Sequence, residues 1–193
     1  MRPHVKGFRK NSVRFYQNFR RYLPSAHNLS RTPPFLKMKG LILMREERAG
    51  VKITINNLQK KIPVATKKIR EAILKVLQTE KIKKTGQVNL FFTSDLKIRE
   101  LNLRYRGENS ATDVLVFDIS HAPNHLLVDI FISADTAKRN ARLFKSSLQN
   151  EIYLYVIHGI LHLVGYDDRS LRQRKEMERK QQYILATLKN ASA

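Results

Sequence analysis

Two histidines, His158 and His162, stand four residues apart in the segment HGILHLVGYDDRS, which is otherwise apolar until a glycine and two aspartates. Residues four apart on an α-helix differ by about 6 Å in height and about 40° in azimuth, so a helix here turns both imidazoles the same way. Two imidazoles so placed can converge on one divalent cation, by the mechanical logic of the helical H-x-x-x-H pair of zinc hydrolases. Gly165 sits where such a helix must stop, because a residue without Cβ reaches positive φ at little cost. The turn would bring Asp167 or Asp168 back toward the pair, and a third ligand from this loop leaves one coordination position open for water or substrate. The plainer reading is a pair of core histidines with no shared ion, and spacing alone does not separate the two. Gly159 occupies the place where H-E-x-x-H proteases carry their general base, so peptide hydrolysis lacks its expected proton acceptor.

The elements that must position this pair follow from periodicity. VKITINN predicts a half-buried strand with Val51, Ile53 and Ile55 on one side, and residues 64–77 carry a helical stripe of Val64, Ile69, Ala72, Ile73, Val76 and Leu77. QVNLFFT predicts a second strand, Ser94 suits the N-cap of a helix through Leu103, and TDVLVFDI and LLVDIFIS predict the third and fourth strands. Residues 135–144, 148–164 and 170–188 complete the set as helices. The expected fold class is α/β (α+β), a small four-stranded mixed sheet packed with about five helices. His121 and His125 repeat the four-residue spacing, but Pro123 between them breaks a helix and the stretch reads as a connecting loop. Tyr153, Tyr155 and Tyr166 read as packing groups with a wet hydroxyl. RSLRQRKEMERKQQ reads as a solvated helix face with an excess of positive charge.

Composition bounds the chemistry. The 193 residues suffice for one core with an appendage, and the absence of cysteine confines any metal site to His, Asp and Glu, as suits a reducing compartment. The longest apolar stretch, residues 152–164, is interrupted by both histidines and falls short of the roughly 20 residues that span a bilayer. A formal charge of +21 points to a polyanionic partner, nucleic acid or an anionic membrane face. Residues 1–45 contain no acid and scatter Arg and Lys among Phe8, Phe15, Tyr16, Phe19 and Tyr22, with the breaker Pro33-Pro34. Residues 1–50 are therefore expected to form a basic, disordered extension, either transit-like or a start-site artefact with translation beginning at Met38 or Met44. Residues 51–193 are expected to form the folded domain.

These residues resemble the YbeY family of single-strand-specific, metal-dependent endoribonucleases, the bacterial rRNA maturation factors, with the signature H-G-x-L-H-L-x-G-Y-D-H. His158, Gly159, Leu161, His162, Leu163, Gly165, Tyr166 and Asp167 match it position by position. LNLRYRGENSATDVLVF is similar to the family's L-N-x-x-Y-R-x-x-x-x-x-T-D-V-L-S-F at Leu101, Asn102, Tyr105, Arg106, Thr112, Asp113, Val114, Leu115 and Phe117, and VDIFIS is similar to G-D-I-x-I-S. The likeness runs from about Val51 to Leu188. Four departures stand out: Asp168 replaces the third zinc-binding histidine, Val116 a serine, Asp118 a proline and Val128 a glycine.

The resemblance implies a zincin-like metalloprotein fold and a single-strand-specific endoribonuclease acting in 16S rRNA 3′-end maturation and ribosome quality control. It implies one Zn2+ per chain held by His158, His162 and Asp168, with a harder metal such as manganese or magnesium favoured somewhat by the carboxylate. His158 and Arg106 are the expected catalytic residues, and Arg106 the expected RNA contact, suited to hold a phosphate in two directions. The implied partners are single-stranded rRNA, the small ribosomal subunit and assembly factors such as the GTPase Era, in the cytoplasm or, if the extension is a transit peptide, in an organelle. Asp113 and Asp129 could orient ligands or merely end strands. Two competing readings remain: a non-catalytic RNA-binding assembly factor that has lost the third histidine ligand, and a zinc hydrolase acting on something other than RNA.

Overall fold

The computed structural model describes residues 50–190, and the extension expected over residues 1–50 lies outside them except for Gly50. Nine elements follow in the order β1 (Val51–Asn57), α1 (Thr66–Thr79), β2 (Thr85–Thr93), α2 (Asp95–Arg106), β3 (Val114–Asp118), β4 (His125–Ser133), α3 (Ala134–Leu143), α4 (Leu148–Leu163) and α5 (Leu171–Asn190). Among the described residues this is the four-stranded, five-helix arrangement that periodicity predicts.

The sheet order is β1-β2-β4-β3, with β1, β2 and β4 mutually parallel and β3 antiparallel to β4. Successive side chains of a strand point to opposite faces, and the two faces here have different tasks. One face carries Ile53, Val88, Leu90, Phe92, Val114, Val116, Val128, Ile130 and Ile132, packed with α1, α4 and α5 into the main core. The other carries Leu115, Phe117 and Phe131 and meets Ile98 and Leu101 of α2 in a smaller cluster. There Phe91 stacks on Phe131 with ring centroids 4.7 Å apart, and Phe117 meets Phe131 edge-on at 5.8 Å.

Serine hydroxyls start three of the helices. Ser94, Ser133 and Ser147 accept the backbone N–H of Lys97, Thr136 and Asn150 at the heads of α2, α3 and α4, each satisfying a donor that the helix leaves unpaired. Asp95, Asp135 and Glu151 in the first turns add negative charge where the helix dipole is positive.

α4 is the central helix. Residues 155–163 are buried without a break, the mark of a helix enclosed on all sides rather than lying on a surface. Gly159 is what lets it lie so close to the sheet, since a Cβ there would come within 3.3 Å of the Val114 side chain and 3.5 Å of Ile130 and Val116.

Two expectations need correction. His125 is not in a connecting loop but opens β4 opposite Thr85 of β2, because the backbone turns at residues 122–125 and strand pairing starts there. The segment RSLRQRKEMERKQQ is not simply a solvated face: Met177 and Gln181 in it are buried, continuing into Ile184, Leu185 and Leu188 as one stripe of α5 against the core. No described helix is long and apolar enough to cross a membrane.

Candidate metal centre

The helix places its two histidines as the four-residue spacing requires. His158 and His162 are both buried, with their Nε2 atoms 3.2 Å apart. Beyond them α4 ends in a left-handed turn: Gly165 has φ of 107°, its N–H bonds the His162 carbonyl at 3.1 Å, and the Tyr166 N–H bonds the Leu161 carbonyl at 3.0 Å. This pair of bonds is the Schellman closure, which satisfies the last carbonyls and throws the chain back across the helix end.

The turn decides between the two aspartates. Asp167 is engaged with its own loop, its Oδ1 accepting the Asp168 N–H at 2.8 Å and its Oδ2 accepting from Arg169 Nε at 2.5 Å. Asp168 is the one brought to the imidazoles: His158, His162 and Asp168 each offer a ligand atom, and these atoms lie within 4.8 Å of one another. In a tetrahedral zinc site with bonds of about 2.0–2.2 Å, neighbouring ligand atoms stand roughly 3.3–3.6 Å apart. The imidazole pair, 3.2 Å apart, is close to that separation, and the carboxylate lies within 4.8 Å of both. Two imidazole nitrogens and one carboxylate oxygen are a donor set ordinary for a hydrolytic divalent ion, so these residues fit such an ion.

Electrostatics favour the neutral imidazole that a metal needs. Burial pushes His162 below the ordinary histidine value, against the opposing pull of Asp168, the Tyr166 carbonyl, Asp167 and Asp113. Burial likewise pushes the Asp168 carboxyl up, with His162 pulling the other way. A divalent cation between them would compensate both costs at once.

The residues behind the donors come from distant parts of the chain. His162 Nδ1 meets the Tyr166 carbonyl at 3.0 Å, which puts its proton there and leaves Nε2 unprotonated. Tyr166 is itself held at its far end, where its hydroxyl donates to Glu80 at 3.0 Å and Lys180 pairs with the same carboxylate at 2.9 Å. His158 Nδ1 meets the side-chain amide of Gln181 on α5. Arg174, two turns earlier on α5, donates to the Asp168 backbone carbonyl at 3.3 Å. Sequence reasoning missed Gln181, Glu80 and Lys180. The available signal was Gln181 itself, a polar residue in the apolar stripe Met177, Ile184, Leu188.

Arg106 ends α2 with its guanidinium buried, donating to Glu108 at 2.7 Å and to Asn102 at 3.3 Å. Asn102 in turn donates to the Ser110 carbonyl at 2.8 Å, so the loop after α2 is folded around this pair. Asp113 is buried just before β3, where its Oδ1 accepts the Val114 N–H at 3.0 Å, and its charge reaches His162. Asp129 lies on the opposite face of the sheet, accepting from Asn89 at 2.8 Å, and burial raises its carboxyl.

The mixed sheet, the enclosed helix and the His-His-Asp donors define an α/β protein with a helix-borne candidate metal centre. The chain belongs to the YbeY family, whose model, described as Endoribonuclease YbeY, matches residues 54–189. Among curated relatives, the Endoribonuclease YbeY of Parabacteroides distasonis is 36% identical over 127 residues, covering 66% of this chain and 89% of that protein. The protein of the same name from Desulforamulus reducens is 37% identical over 147 residues, covering 70% and 96%. A Thermotoga maritima protein solved in solution superposes with a TM-score of 0.50 at 30% identity, covering 70% of this chain and 88% of that one.

Proposed function

We propose that this chain is a metal-dependent endoribonuclease that cuts single-stranded RNA in the processing of ribosomal RNA. The observation that carries the reading is the convergence of His158, His162 and Asp168 within 4.8 Å in a fold whose relatives bear an endoribonuclease name. The net charge of +21 supports a polyanionic substrate.

His158, His162 and Asp168 would hold the ion, which when bound supplies Lewis acidity toward a phosphoryl oxygen or water. The chain's own contributions are then distinct. The Tyr166 carbonyl keeps the His162 proton on Nδ1, and Gly165 sets the loop that carries Asp168 inward. Arg106 would hold the phosphate, exchanging its bond to Glu108 for a forked bond to the strand. We assign His158 and Arg106 as catalytic residues on this basis, with zinc as the resident ion and manganese the alternative that the carboxylate allows.

The finer expectations belong here as well: cleavage at the 3′ end of 16S rRNA, a role in ribosome quality control, and association with the small subunit and with the GTPase Era. Residues 51–193 would be the catalytic domain, acting in the cytoplasm or, with residues 1–50 as a transit segment, in an organelle. The reading as a non-catalytic assembly factor rested on the missing third histidine. Asp168 weakens it, since a competent donor occupies that position and is directed at the pair.

The test is metal content and RNA cleavage measured together for wild type, His162→Ala and Asp168→His. The proposal expects one bound metal and single-strand cleavage in the wild type, loss of both in His162→Ala, and tighter zinc in Asp168→His. A wild-type protein that takes up no metal and leaves single-stranded RNA intact would overturn it.

A further inference from the structure

α5 has two sides with different surroundings. Met177, Gln181, Ile184 and Leu188 are buried against the core. On the other side Arg172, Lys175 and Arg179 are exposed at i, i+3 and i+7, a spacing that puts them within about 60° of one another along about 10 Å of helix. The acids Glu176 and Glu178 fall to either side of that line rather than on it. Among the described residues none of the three cations enters an ion pair, whereas Arg106 is held by Glu108 and Lys180 by Glu80. Tyr183, one turn beyond Arg179, adds an aromatic ring that is 56% exposed.

Neither feature helps the fold. Like charges at helical spacing repel one another, and a ring left in water forgoes the stabilisation of burial. Together they suit a ligand that is both polyanionic and rich in flat rings, which is the chemistry of single-stranded RNA: phosphates meet the cations and an unpaired base stacks on the tyrosine. An anionic membrane would satisfy the charges, yet helices that lie in a membrane surface bury an apolar face in lipid, and α5 has its apolar face on the core.

The basic line begins beside the metal centre. Arg172 stands four residues after Asp168, and Arg174 donates to the Asp168 backbone carbonyl at 3.3 Å, which ties the head of α5 to the metal loop. The Lys180–Glu80 pair at 2.9 Å brings the exposed Lys81, in the turn after α1, beside the middle of α5. Gln181, on the opposite side of the helix from the line, is the residue that meets His158, so a strand on the line does not touch the donors and must pass round the head of α5 to reach them.

Resting on the reading of this chain as acting on single-stranded RNA, we propose that the outer face of α5 is a docking track for the strand beyond the point of cleavage, with phosphates on Arg172, Lys175 and Arg179 and an unpaired base on Tyr183. The metal centre then acts on one phosphodiester while α5 holds nucleotides further along. Substrates too short to reach from Asp168 to Tyr183 lose that hold.

The experiment uses the full chain freed of metal by chelation, so that binding is read without cleavage, by fluorescence anisotropy of a labelled single-stranded RNA over a range of salt. The triple variant Arg172→Gln, Lys175→Gln, Arg179→Gln should weaken binding about 10- to 100-fold near physiological salt and lower the slope of log affinity against log salt by about 2, three phosphate contacts at roughly 0.7 each. A matched triple, Lys60→Gln, Lys61→Gln, Lys67→Gln, removes the same charge from exposed positions between β1 and the first turn of α1 and should bind close to wild type. Tyr183→Ala should weaken single-strand binding about 5- to 100-fold, Tyr183→Phe should restore it, and neither should change binding to a duplex of the same sequence, whose bases are already stacked. Equal losses in the two triples would mean that net charge alone holds the RNA, and would overturn the track. So would a Tyr183→Ala that binds as wild type, or an α5 triple that keeps RNA but loses phosphatidylserine vesicles, which would assign the face to a membrane. These readouts need no metal, so failure of the track leaves the nuclease reading standing, and a wild type that binds RNA through α5 yet takes up no zinc overturns the nuclease reading alone.

Discussion

α4 and α2 finish in the same way and are used differently. Each helix runs into a glycine with positive φ, Gly165 at 107° and Gly107 at 71°, and each carries a candidate functional side chain within its last two turns. At the end of α4 the chain folds back so that Asp168 meets two buried imidazoles, and every partner in that turn strengthens the convergence. At the end of α2 the fold-back delivers Glu108 to Arg106, and the cation is neutralised before a substrate arrives. On the proposed reading, one region is organised for its ligand in advance, whereas Arg106, buried and paired, would have to exchange partners to hold a phosphate. A cation gathers acidic and imidazole donors from a single helix and its loop, while a buried guanidinium would have to open toward an RNA strand.

The largest effect expected from this comparison is at α4. His162→Ala should abolish zinc binding and reduce RNA cleavage to background, measured by metal content and by gel assay of a labelled single strand. Zinc affinity should also depend on pH, since the ligands bind as neutral imidazole and carboxylate. Burial lowers His162, so protons displace metal from it only at more acid pH than usual; burial raises Asp168, so protons compete there closer to neutrality. Affinity should therefore be retained at the ordinary imidazole value and be lost only at more acid pH, as a chelator competition across pH would show.

At α2 the expected loss is smaller and of another kind. Arg106→Ala should lower kcat/KM for RNA by about 10²- to 10³-fold, the usual worth of one donor to transition-state charge, while zinc affinity stays unchanged. Equal damage to zinc binding would erase the distinction between the two regions. Gly159→Val tests the seating of α4 itself: its side chain would press on Val114, Val116 and Ile130, costing about 1–3 kcal/mol in urea unfolding. Glu80→Gln, which weakens the hold on Tyr166 and Lys180, should cost about 0.5–1.5 kcal/mol and loosen zinc only slightly.

What the sequence made legible was whatever is local. The His158 and His162 spacing, the Gly165 stop and the serine cap at Ser94 act within one or two turns, so their residue types announce them. The alternating strands were legible for the same reason, whereas the faces of Phe92 and Phe91, one on the main core and one on the smaller cluster, emerge from the structure. The choice between Asp167 and Asp168 was not, because it depends on which carboxylate the backbone N–H groups of the loop capture first. Gln181 and Lys180 escaped because their partners, His158 and Glu80, lie on other elements, and a basic helix with paired charges reads as a solvated face until its packing is known. The neutralisation of Arg106 by Glu108 involves residues two apart in sequence, yet it depended on a turn at Gly107 whose geometry no residue pattern specified.

The most direct test of the central claim is an anomalous-scattering map from crystals grown with one equivalent of zinc. The account predicts a single peak about 2.0–2.2 Å from Nε2 of His158, Nε2 of His162 and a carboxylate oxygen of Asp168. A peak elsewhere, or one bound by the imidazoles with Asp168 turned away to solvent, would contradict it.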